Sequence, residues 1–178
     1  YLYYGRLSRE KGIRTLIKAF ENFPSLSLWI IGDGPLRQEL EQYCQNKGLE
    51  NIVFKGYMAG DTLYGAVHNA KFVCVPSEWY ENNPMTIVES YALGTPVIGA
   101  RIGGIPEIIE VDKTGLIFNS GDEDSLKSVL EKSLGLSQEE YENMRANAKA
   151  FAQIHFSKEQ HLKSLEVFYK TIIDNYKR

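Results

Sequence analysis

Two glutamates, Glu81 and Glu89, have the residue type and spacing to recognise hydroxyl groups. They lie in the stretch SEWYENNPMTIVESYALGTPVIGA, with seven residues between them. Pro84 suits a first helical position with Asn83 as its N-cap, so Glu81 would precede a helix and Glu89 would lie about a turn and a half inside it. Because a carboxylate can accept hydrogen bonds from both hydroxyls of a vicinal diol, this stretch indicates a hydroxyl-binding site.

The start of the same predicted helix offers hydrogen-bond donors. The backbone N–H groups of Met85 and Thr86 would open toward the preceding loop, where they have no intrahelical acceptor. Each acid also has a simpler interpretation, Glu81 as a charge that complements the helix dipole and Glu89 as a surface residue. The apolar side chains of this helix are expected to anchor it while the acids face a cleft: Met85, Ile87 and Val88.

Two cations, Arg6 and Lys11, lie in the stretch GRLSREKG, between a strand-like and a helix-like segment. The free N–H groups and the dipole of a helix N-terminus already favour an anion. Arginine could hold a pyrophosphate through its planar fork, and lysine could do so as a point charge. The alternative is that both are solvated surface residues.

Glycines punctuate two further loops. Gly32 and Gly34, in GDGPLRQ, resemble half of a dinucleotide fingerprint, but Arg37 occupies the position of the third glycine and an NAD site is poorly supported. These two glycines suit a tight turn or a close approach of the backbone to a ligand. Gly103 and Gly104, in ARIGGIPEII, suit either a close approach to a ligand or a loop with positive φ.

Short apolar runs rich in Val, Ile and aromatic residues alternate with helix-like stretches over the first three quarters of the chain. Continuously apolar runs of this length are typical of strands buried on both faces of a parallel sheet. The pattern predicts an α/β fold with a Rossmann-like, doubly wound parallel sheet, whose ligands bind beyond the carboxyl ends of the strands. The predicted strands are Tyr1–Tyr4, Leu26–Ile31, Ile52–Phe54, Phe72–Val75, Pro96–Ile98 and Leu116–Phe118.

Helical periodicity marks the intervening segments and, after Asn119, the whole remainder of the chain. Pro35 suits a first helical position and Gly48 a helix end, while Ser137 and Ser157 suit N-caps. The predicted helices are Lys11–Phe23, Pro35–Lys47, Asp61–Asn69, Pro84–Leu93, Asp124–Leu134, Gln138–Ile154 and Lys158–Tyr176. An apolar stripe on the last helix is expected to form core rather than membrane contact: Leu162, Leu165, Phe168 and Ile172.

Composition narrows the classes of function. A formal charge of -3 disfavours nucleic acid as the main partner, and no apolar run approaches the length of a membrane span. Cys44 and Cys74 are far apart among apolar or helical neighbours and are expected to be reduced, buried thiols of a cytosolic protein. The histidines have no cysteine or acidic partners at ligand spacing, so the sequence predicts no metal site.

Five motifs, in order, resemble the C-terminal, donor-binding domain of the family 4 retaining glycosyltransferases, which have the two-domain B-type fold. They are GRLSREKG, IIGDGPL, FKGYM, PSEWYENNPMTIVESYALGTPVIGARIGGIPEII and TGLIF, and together they span nearly all of Tyr1–Phe118. Glu81 and Glu89 match the paired glutamates of that family. This pair in its context is more specific than any glycine motif in the chain.

The resemblance implies roles for individual residues. Arg6 and Lys11 match the cations that hold the donor diphosphate, Glu89 matches the acid that binds the ribose hydroxyls, and Glu81 matches the acid near the donor sugar. Loop residues match those that surround the sugar, the phosphates and the base: Asn82, Asn83, Met85, Thr86, Gly34, Gly56 and Tyr57. The family often has Gly-Phe-Gly-Leu where this chain has Asn82–Met85, and here proline lacks an N–H while asparagine side chains can donate.

The resemblance further implies one domain, residues 1–178, that binds a UDP-, GDP- or ADP-sugar without a metal or other cofactor. An N-terminal acceptor-binding domain would complete the cleft, so this chain alone is expected to transfer little or nothing. The implied reaction is glycosyl transfer with retention to a carbohydrate or lipid-linked acceptor, in polysaccharide or glycolipid biosynthesis. The expected location is cytoplasmic, or peripheral to the inner face of the membrane.

Two other functions compete with this interpretation. One is a non-catalytic nucleotide-sugar-binding module, which has less need of Glu81 beside the sugar. The other is a sugar-nucleotide epimerase of the same fold, whose expected acids and histidines are not evident. Three aromatic side chains suit stacking on a base or sugar, or simple packing: Tyr57, Tyr64 and Trp79.

Overall fold

The computed structural model describes residues 1–176, apart from the side chain of His161, and its centre is a parallel sheet of six strands. The order across the sheet is β3-β2-β1-β4-β5-β6, as in a doubly wound fold. All six predicted strands are confirmed, with ends that differ by a few residues. They are β1 (Leu2–Tyr4), β2 (Leu28–Ile31), β3 (Ile52–Gly56), β4 (Val73–Val75), β5 (Val97–Arg101) and β6 (Gly115–Asn119).

The strand order reverses between β1 and β4. Strand β1 pairs with β2 on one side and with β4 on the other, the latter through Leu2 opposite Val73. The loops that follow β1 and β4 therefore leave the same edge of the sheet side by side. This switch point is where an open α/β sheet forms its ligand crevice.

Eight α-helices and one 3-10 turn connect and flank these strands in the described part of the chain. The turn, Arg9–Lys11, separates from α1 because Gly12 adopts a φ of 66°, so the continuous helix predicted from Lys11 is wrong at its start. The helices are α1 (Ile13–Phe20), α2 (Arg37–Lys47), α3 (Gly60–Asn69), α4 (Met85–Ala92), α5 (Ile105–Ile108), α6 (Glu123–Gly135), α7 (Gln138–His155) and α8 (Lys158–Tyr176).

Several helix ends differ from the sequence-based expectations. Helix α2 begins two residues beyond Pro35, and the short helix α5 has no counterpart among the predicted helices. Ser137 is an N-cap, as predicted, and forms a capping box with Glu140. Ser157 also accepts a hydrogen bond from the N–H of Gln160, three residues later.

The core lies on both faces of the sheet because alternate side chains of each strand point in opposite directions. Tyr3 and Cys74 face one layer, formed by α1, α2 and α6. Leu2, Val73 and Val75 face the other layer, to which α3, α4, α5 and α7 contribute. Burial on both faces explains why the strands are almost continuously apolar.

The apolar stripe of α8 does not pack into the core formed by the described residues, and its expected burial in a core stays a prediction. Its four side chains are between 37% and 58% exposed, since the described residues place no surface over them: Leu162, Leu165, Phe168 and Ile172. Among the residues that the structure describes, no helix has the length and apolar character needed to cross a membrane.

Both cysteines are buried and unpaired, which confirms the prediction of buried thiols. Burial raises the pKa of the Cys44 thiol to about 11 and that of the Cys74 thiol to about 12. A raised thiol pKa lowers the fraction of reactive thiolate at neutral pH.

We therefore expect neither thiol of the native chain to react within minutes with a disulfide reagent at pH 8. Both should react once denaturant exposes them and returns their pKa to the ordinary range. A spectrophotometric thiol assay measures both states, and Cys44→Ser isolates the more deeply buried Cys74. Rapid reaction of one thiol per native chain would contradict the buried environment.

Candidate functional site

Two adjoining cavities lie at the carboxyl edge of the sheet. The first, here called the Lys11 cavity, has a volume of about 300 Å³ and opens between the loops that follow β1 and β4. Its lining includes both predicted cations and one of the predicted acids. The polar and charged members of that lining are Arg6, Lys11, Ser77, Glu81 and Thr86.

Lys11 and Glu81 form an ion pair inside this cavity. The Lys11 Nζ lies 2.5 Å from Glu81 Oε1, and Ser77 Oγ donates to the same carboxylate oxygen at 3.1 Å. The Lys11 and Glu81 side chains are 33% and 22% exposed, so water partly screens their attraction. The contact nevertheless holds the carboxylate beside the cation at a defined position.

The two loops that supply this pair are fastened together by their backbones. A Cβ on Gly12 would lie 1.8 Å from the carbonyl oxygen of Pro76, a distance that only glycine permits. The Glu78 N–H donates to the Glu10 carbonyl at 2.8 Å, and Thr15 Oγ1 donates to Glu78 Oε1 at 2.5 Å. The loop after β1 and the loop after β4 therefore behave as one unit.

Gly103 and Gly104 support the same unit from the other side. The Gly104 N–H donates to the Glu81 carbonyl at 2.7 Å, and a Cβ on Gly104 would lie 2.0 Å from the Asn82 carbonyl oxygen. Gly103 has a φ of 55°, and a Cβ there would lie 2.5 Å from the Glu81 carbonyl oxygen. The positive φ expected of this loop is present at Gly103, and the close approach is to the Glu81 loop; an approach to a ligand stays a prediction.

The second cavity, here called the Glu89 cavity, has a volume of about 520 Å³. It shares Tyr4, Gly5 and Arg6 with the Lys11 cavity, so the two cavities adjoin at these residues. Its remaining lining comes from the loops after β2 and β3, from α3 and from one residue of α4. The members with polar or aromatic side chains are Asp33, Tyr57, Tyr64 and Glu89.

Tyr4 forms part of the wall between the two cavities. Its hydroxyl donates toward Glu89 Oε2 at 3.1 Å and toward the Thr86 carbonyl at 2.9 Å. Burial raises the pKa of the Tyr4 hydroxyl well above its ordinary value, so the group stays a neutral donor across the physiological range. Glu89 therefore lines the cavity with one carboxylate oxygen, Oε2, already hydrogen-bonded to Tyr4.

The structure gathers six of the predicted site residues around the two cavities. Those that line them are Arg6, Lys11, Glu81, Thr86, Glu89 and Tyr57. The others lie nearby on loops or the helix start without lining either cavity: Asn82, Asn83, Met85, Gly34 and Gly56. The assignment of substrate contacts to this second group remains a prediction.

The start of α4 differs from the expected geometry. The helix begins at Met85, and Pro84 rather than Asn83 is its N-cap, because proline has no N–H and here takes an extended ψ of 115°. Met85 is 59% exposed, so it does not anchor the helix, whereas Ile87 is fully buried. Thr86 borders the Lys11 cavity at the helix N-terminus, where N–H groups lack intrahelical acceptors.

Two predicted glycines serve loop packing. A Cβ on Gly34 would lie 2.5 Å from the Leu7 carbonyl oxygen, so Gly34 allows the loops after β1 and β2 to touch. Gly56 has a φ of 71°, and its carbonyl accepts from the Gly32 N–H at 2.8 Å. Tyr57, the next residue, is largely exposed and borders the Glu89 cavity.

Sequence reasoning missed two contributors to the site, Tyr4 and Ser77. Tyr4 was seen only as a strand residue, although strand alternation places it on the layer that contains α4. Ser77 is buried, and its role depends on a contact with Glu81 that no spacing rule indicates.

The positive charge of the site comes from Arg6 and Lys11. Among the residues that the structure describes, no three His, Cys, Asp or Glu side chains are grouped as metal ligands.

Comparison with known proteins identifies the family. The family model described as "Glycosyl transferases group 1" matches residues 1–151, which is most of the chain. The chain belongs to the group 1 glycosyltransferases. A curated relative, sulfoquinovosyl transferase SQD2 of Arabidopsis thaliana, is 36% identical over 124 residues, which cover 68% of this chain and 24% of that protein.

Solved structures of glycosyltransferases share the fold. HepE of Anabaena, in complex with UDP, superposes with a TM-score of 0.82 at 26% identity, covering 93% of this chain and 48% of that one. Sucrose-phosphate synthase of Thermosynechococcus elongatus gives a TM-score of 0.84 at 26% identity, covering 98% of this chain and 45% of that one. This group 1 glycosyltransferase chain spans about a quarter to a half of the curated relatives it matches.

The support of the Glu81 loop by Gly104 predicts the effect of a single methyl group. Gly104→Ala should lower the free energy of unfolding by about 1–3 kcal/mol, because its Cβ would meet the Asn82 carbonyl oxygen and force the loop to move. Urea denaturation measures the change.

Gly65→Ala is the matched control, since a Cβ at Gly65 on α3 would meet no other atom. It should leave the free energy of unfolding unchanged or raise it by up to about 1 kcal/mol, through helix propensity. Equal free energies of unfolding for the two variants would show that the Glu81 loop accommodates a methyl group at position 104 without loss of stability.

Proposed function

We propose that the chain is the donor-binding domain of a glycosyltransferase that uses a nucleotide-diphosphate sugar. The observation that carries the proposal is the adjacency of the two cavities, which share Tyr4, Gly5 and Arg6 in their linings. One cavity presents cations beside a helix N-terminus, and the other presents a carboxylate beside aromatic rings. A diphosphate needs the first environment and a ribonucleoside needs the second.

In this proposal, each part of the donor meets its own group of residues. The diphosphate lies against Arg6, Lys11 and the N–H groups at the start of α4. The ribose hydroxyls donate to Glu89, and the base lies in the Glu89 cavity near Tyr57. The sugar extends toward Glu81 and the adjacent asparagines, whose side chains replace donors that the proline lacks.

The chemistry that follows is electrostatic stabilisation of the leaving diphosphate. Departure of the nucleotide develops negative charge on the phosphate oxygens, and Arg6 and Lys11 are positioned to neutralise it without a metal ion. The ammonium group of Lys11 has three N–H donors, so it can bind a phosphate oxygen while it keeps its contact with Glu81. Glu81, held by Ser77 and Gly104, then stays fixed beside the sugar.

A fixed acid at this position supports transfer rather than binding alone. A non-catalytic module would not require the buried hydroxyl of Ser77 and the close packing of Gly104 to hold Glu81 in place. We propose that transfer proceeds with retention of anomeric configuration, to a carbohydrate or lipid-linked acceptor in polysaccharide or glycolipid assembly. The reaction would occur in the cytoplasm, or at the inner face of the membrane.

The proposed nucleotide is UDP in the first instance, with GDP and ADP as alternatives. Two structures of HepE support this order, one in complex with UDP (26% identity to this chain) and one in complex with UDP-glucose (25% identity). We further propose that an N-terminal acceptor domain completes the enzyme, since the matched relatives are about two to three times longer than this chain. The exposed apolar stripe of α8 supplies a surface for that domain.

A nucleotide panel tests this function directly. We expect one of UDP, GDP and ADP to raise the melting temperature by about 5–10 °C at a concentration a hundred times its dissociation constant. Binding at that concentration adds about 2.7 kcal/mol to the free energy of unfolding. Thermal shift and calorimetry measure it, with and without EDTA. No response to any of the three nucleotides would contradict donor binding, and loss of binding in EDTA would contradict the metal-independent part.

Variants at the two cavities should separate the two binding roles. Arg6→Ala with Lys11→Ala should weaken the nucleoside diphosphate about tenfold or more and leave the nucleoside nearly unchanged, because only the diphosphate uses the cations. Glu89→Ala should weaken both ligands, because both carry the ribose. Calorimetry measures the dissociation constant of each variant for each ligand. Equal losses of affinity for both ligands in both variants would contradict the division into a phosphate cavity and a nucleoside cavity.

A further inference from the structure

Tyr4 is the last residue of β1, and its side chain lies against α4 in the layer beside the two cavities. It is 8% exposed, so its hydroxyl has little access to water. Three oxygen atoms lie within hydrogen-bonding distance of that hydroxyl. They are the Thr86 carbonyl oxygen at 2.9 Å, Glu89 Oε2 at 3.1 Å and Ser90 Oγ at 3.5 Å.

The single Tyr4 proton has a shorter contact with the Thr86 carbonyl than with Glu89, and the type of acceptor favours Glu89. The Ser90 hydroxyl donates to the Thr86 carbonyl at 2.6 Å, so that carbonyl already has a donor. The Glu89 carboxylate is the charged acceptor of the three, and hydrogen bonds to charged acceptors are about twice as strong as those between neutral groups. The Tyr4 proton is therefore shared toward Glu89, with Ser90 satisfying the helix carbonyl beside it.

This bond restricts the free motion of the Glu89 carboxylate. A glutamate side chain has three rotatable bonds, and fixing it on binding costs conformational entropy. With Oε2 held by Tyr4, the carboxylate samples fewer orientations before a ligand arrives. Throughout the part of the chain that the structure describes, Oε1 has no hydrogen-bond partner, and Glu89 lines the cavity.

We infer that Tyr4 is a positioning residue for ribose recognition: it holds Glu89 so that the carboxylate meets the 2′- and 3′-hydroxyls of the donor nucleotide. The inference rests on the proposed function, since it assumes that Glu89 binds ribose. Tyr4 acts through Glu89, so its removal should reduce the preference for ribose over a sugar without these hydroxyls. A purely structural role for Tyr4 would not change that preference.

The test uses Tyr4→Phe, which removes the hydroxyl and keeps the buried ring. The probes are whichever of UDP, GDP and ADP binds best and the 2′,3′-dideoxy form of the same nucleotide. We expect Tyr4→Phe to weaken the ribonucleotide about fivefold, equivalent to roughly 1 kcal/mol, and to leave the dideoxy form unchanged. Calorimetry gives both dissociation constants.

A double-mutant cycle ties the effect to Glu89. In the Glu89→Ala background, adding Tyr4→Phe should change the ribonucleotide affinity by less than about twofold, because the group that Tyr4 positions is gone. Tyr91→Phe is the matched control. Tyr91 is fully buried on α4, the helix that carries Glu89, and its hydroxyl forms a hydrogen bond with Thr114 Oγ1 at 2.8 Å. Loss of the Tyr91 hydroxyl should therefore leave the ribose preference unchanged.

The outcomes separate this inference from the proposed function. Equal weakening of both nucleotides by Tyr4→Phe, or no weakening of either, overturns the positioning role while Glu89→Ala still reports ribose binding. An additive effect of the two substitutions also overturns it. If the unmodified chain binds no nucleotide, or binds the dideoxy form equally well, the ribose assignment of Glu89 is wrong and the inference falls with it.

Discussion

The close backbone contact between the loops that follow β1 and β4 is the constraint on which the rest of the site depends. Parallel pairing of the two strands brings the loops together, and Gly12 lets one backbone approach the Pro76 carbonyl to a distance that any side chain would prevent. Lys11 and Glu81 belong to these two loops and meet only because of this contact. Gly103 and Gly104 then close the opposite side with a third loop.

Local charge, rather than net charge, governs this site. The chain is slightly acidic overall, yet the Lys11 cavity combines two cations with the positive end of α4. Glu81 offsets part of that charge through its contact with the Lys11 ammonium group. Glu89 lines the neighbouring cavity, where its carboxylate provides a hydrogen-bond acceptor.

Most of the fold could be predicted from the pattern of residues. Strands buried on both faces, such as β4, leave a continuous apolar signal, and the helical periods of α6 and α7 are equally plain. Ends were less predictable: Pro84 caps α4 where Asn83 was expected, and the short α5 lacks periodicity. The stripe of α8 has the spacing of a core helix, but spacing cannot tell whether a surface exists to cover it.

The sequence by itself determined the chemistry available: Arg6, Lys11, Glu81 and Glu89, and the motifs that mark a group 1 glycosyltransferase. Residue type and spacing along the chain carry that information. Only the tertiary structure decided which groups meet, because the ion pair of Lys11 with Glu81 and the bond of Tyr4 with Glu89 join positions far apart in the chain. Such contacts arise from strand order and loop packing, which no local pattern encodes.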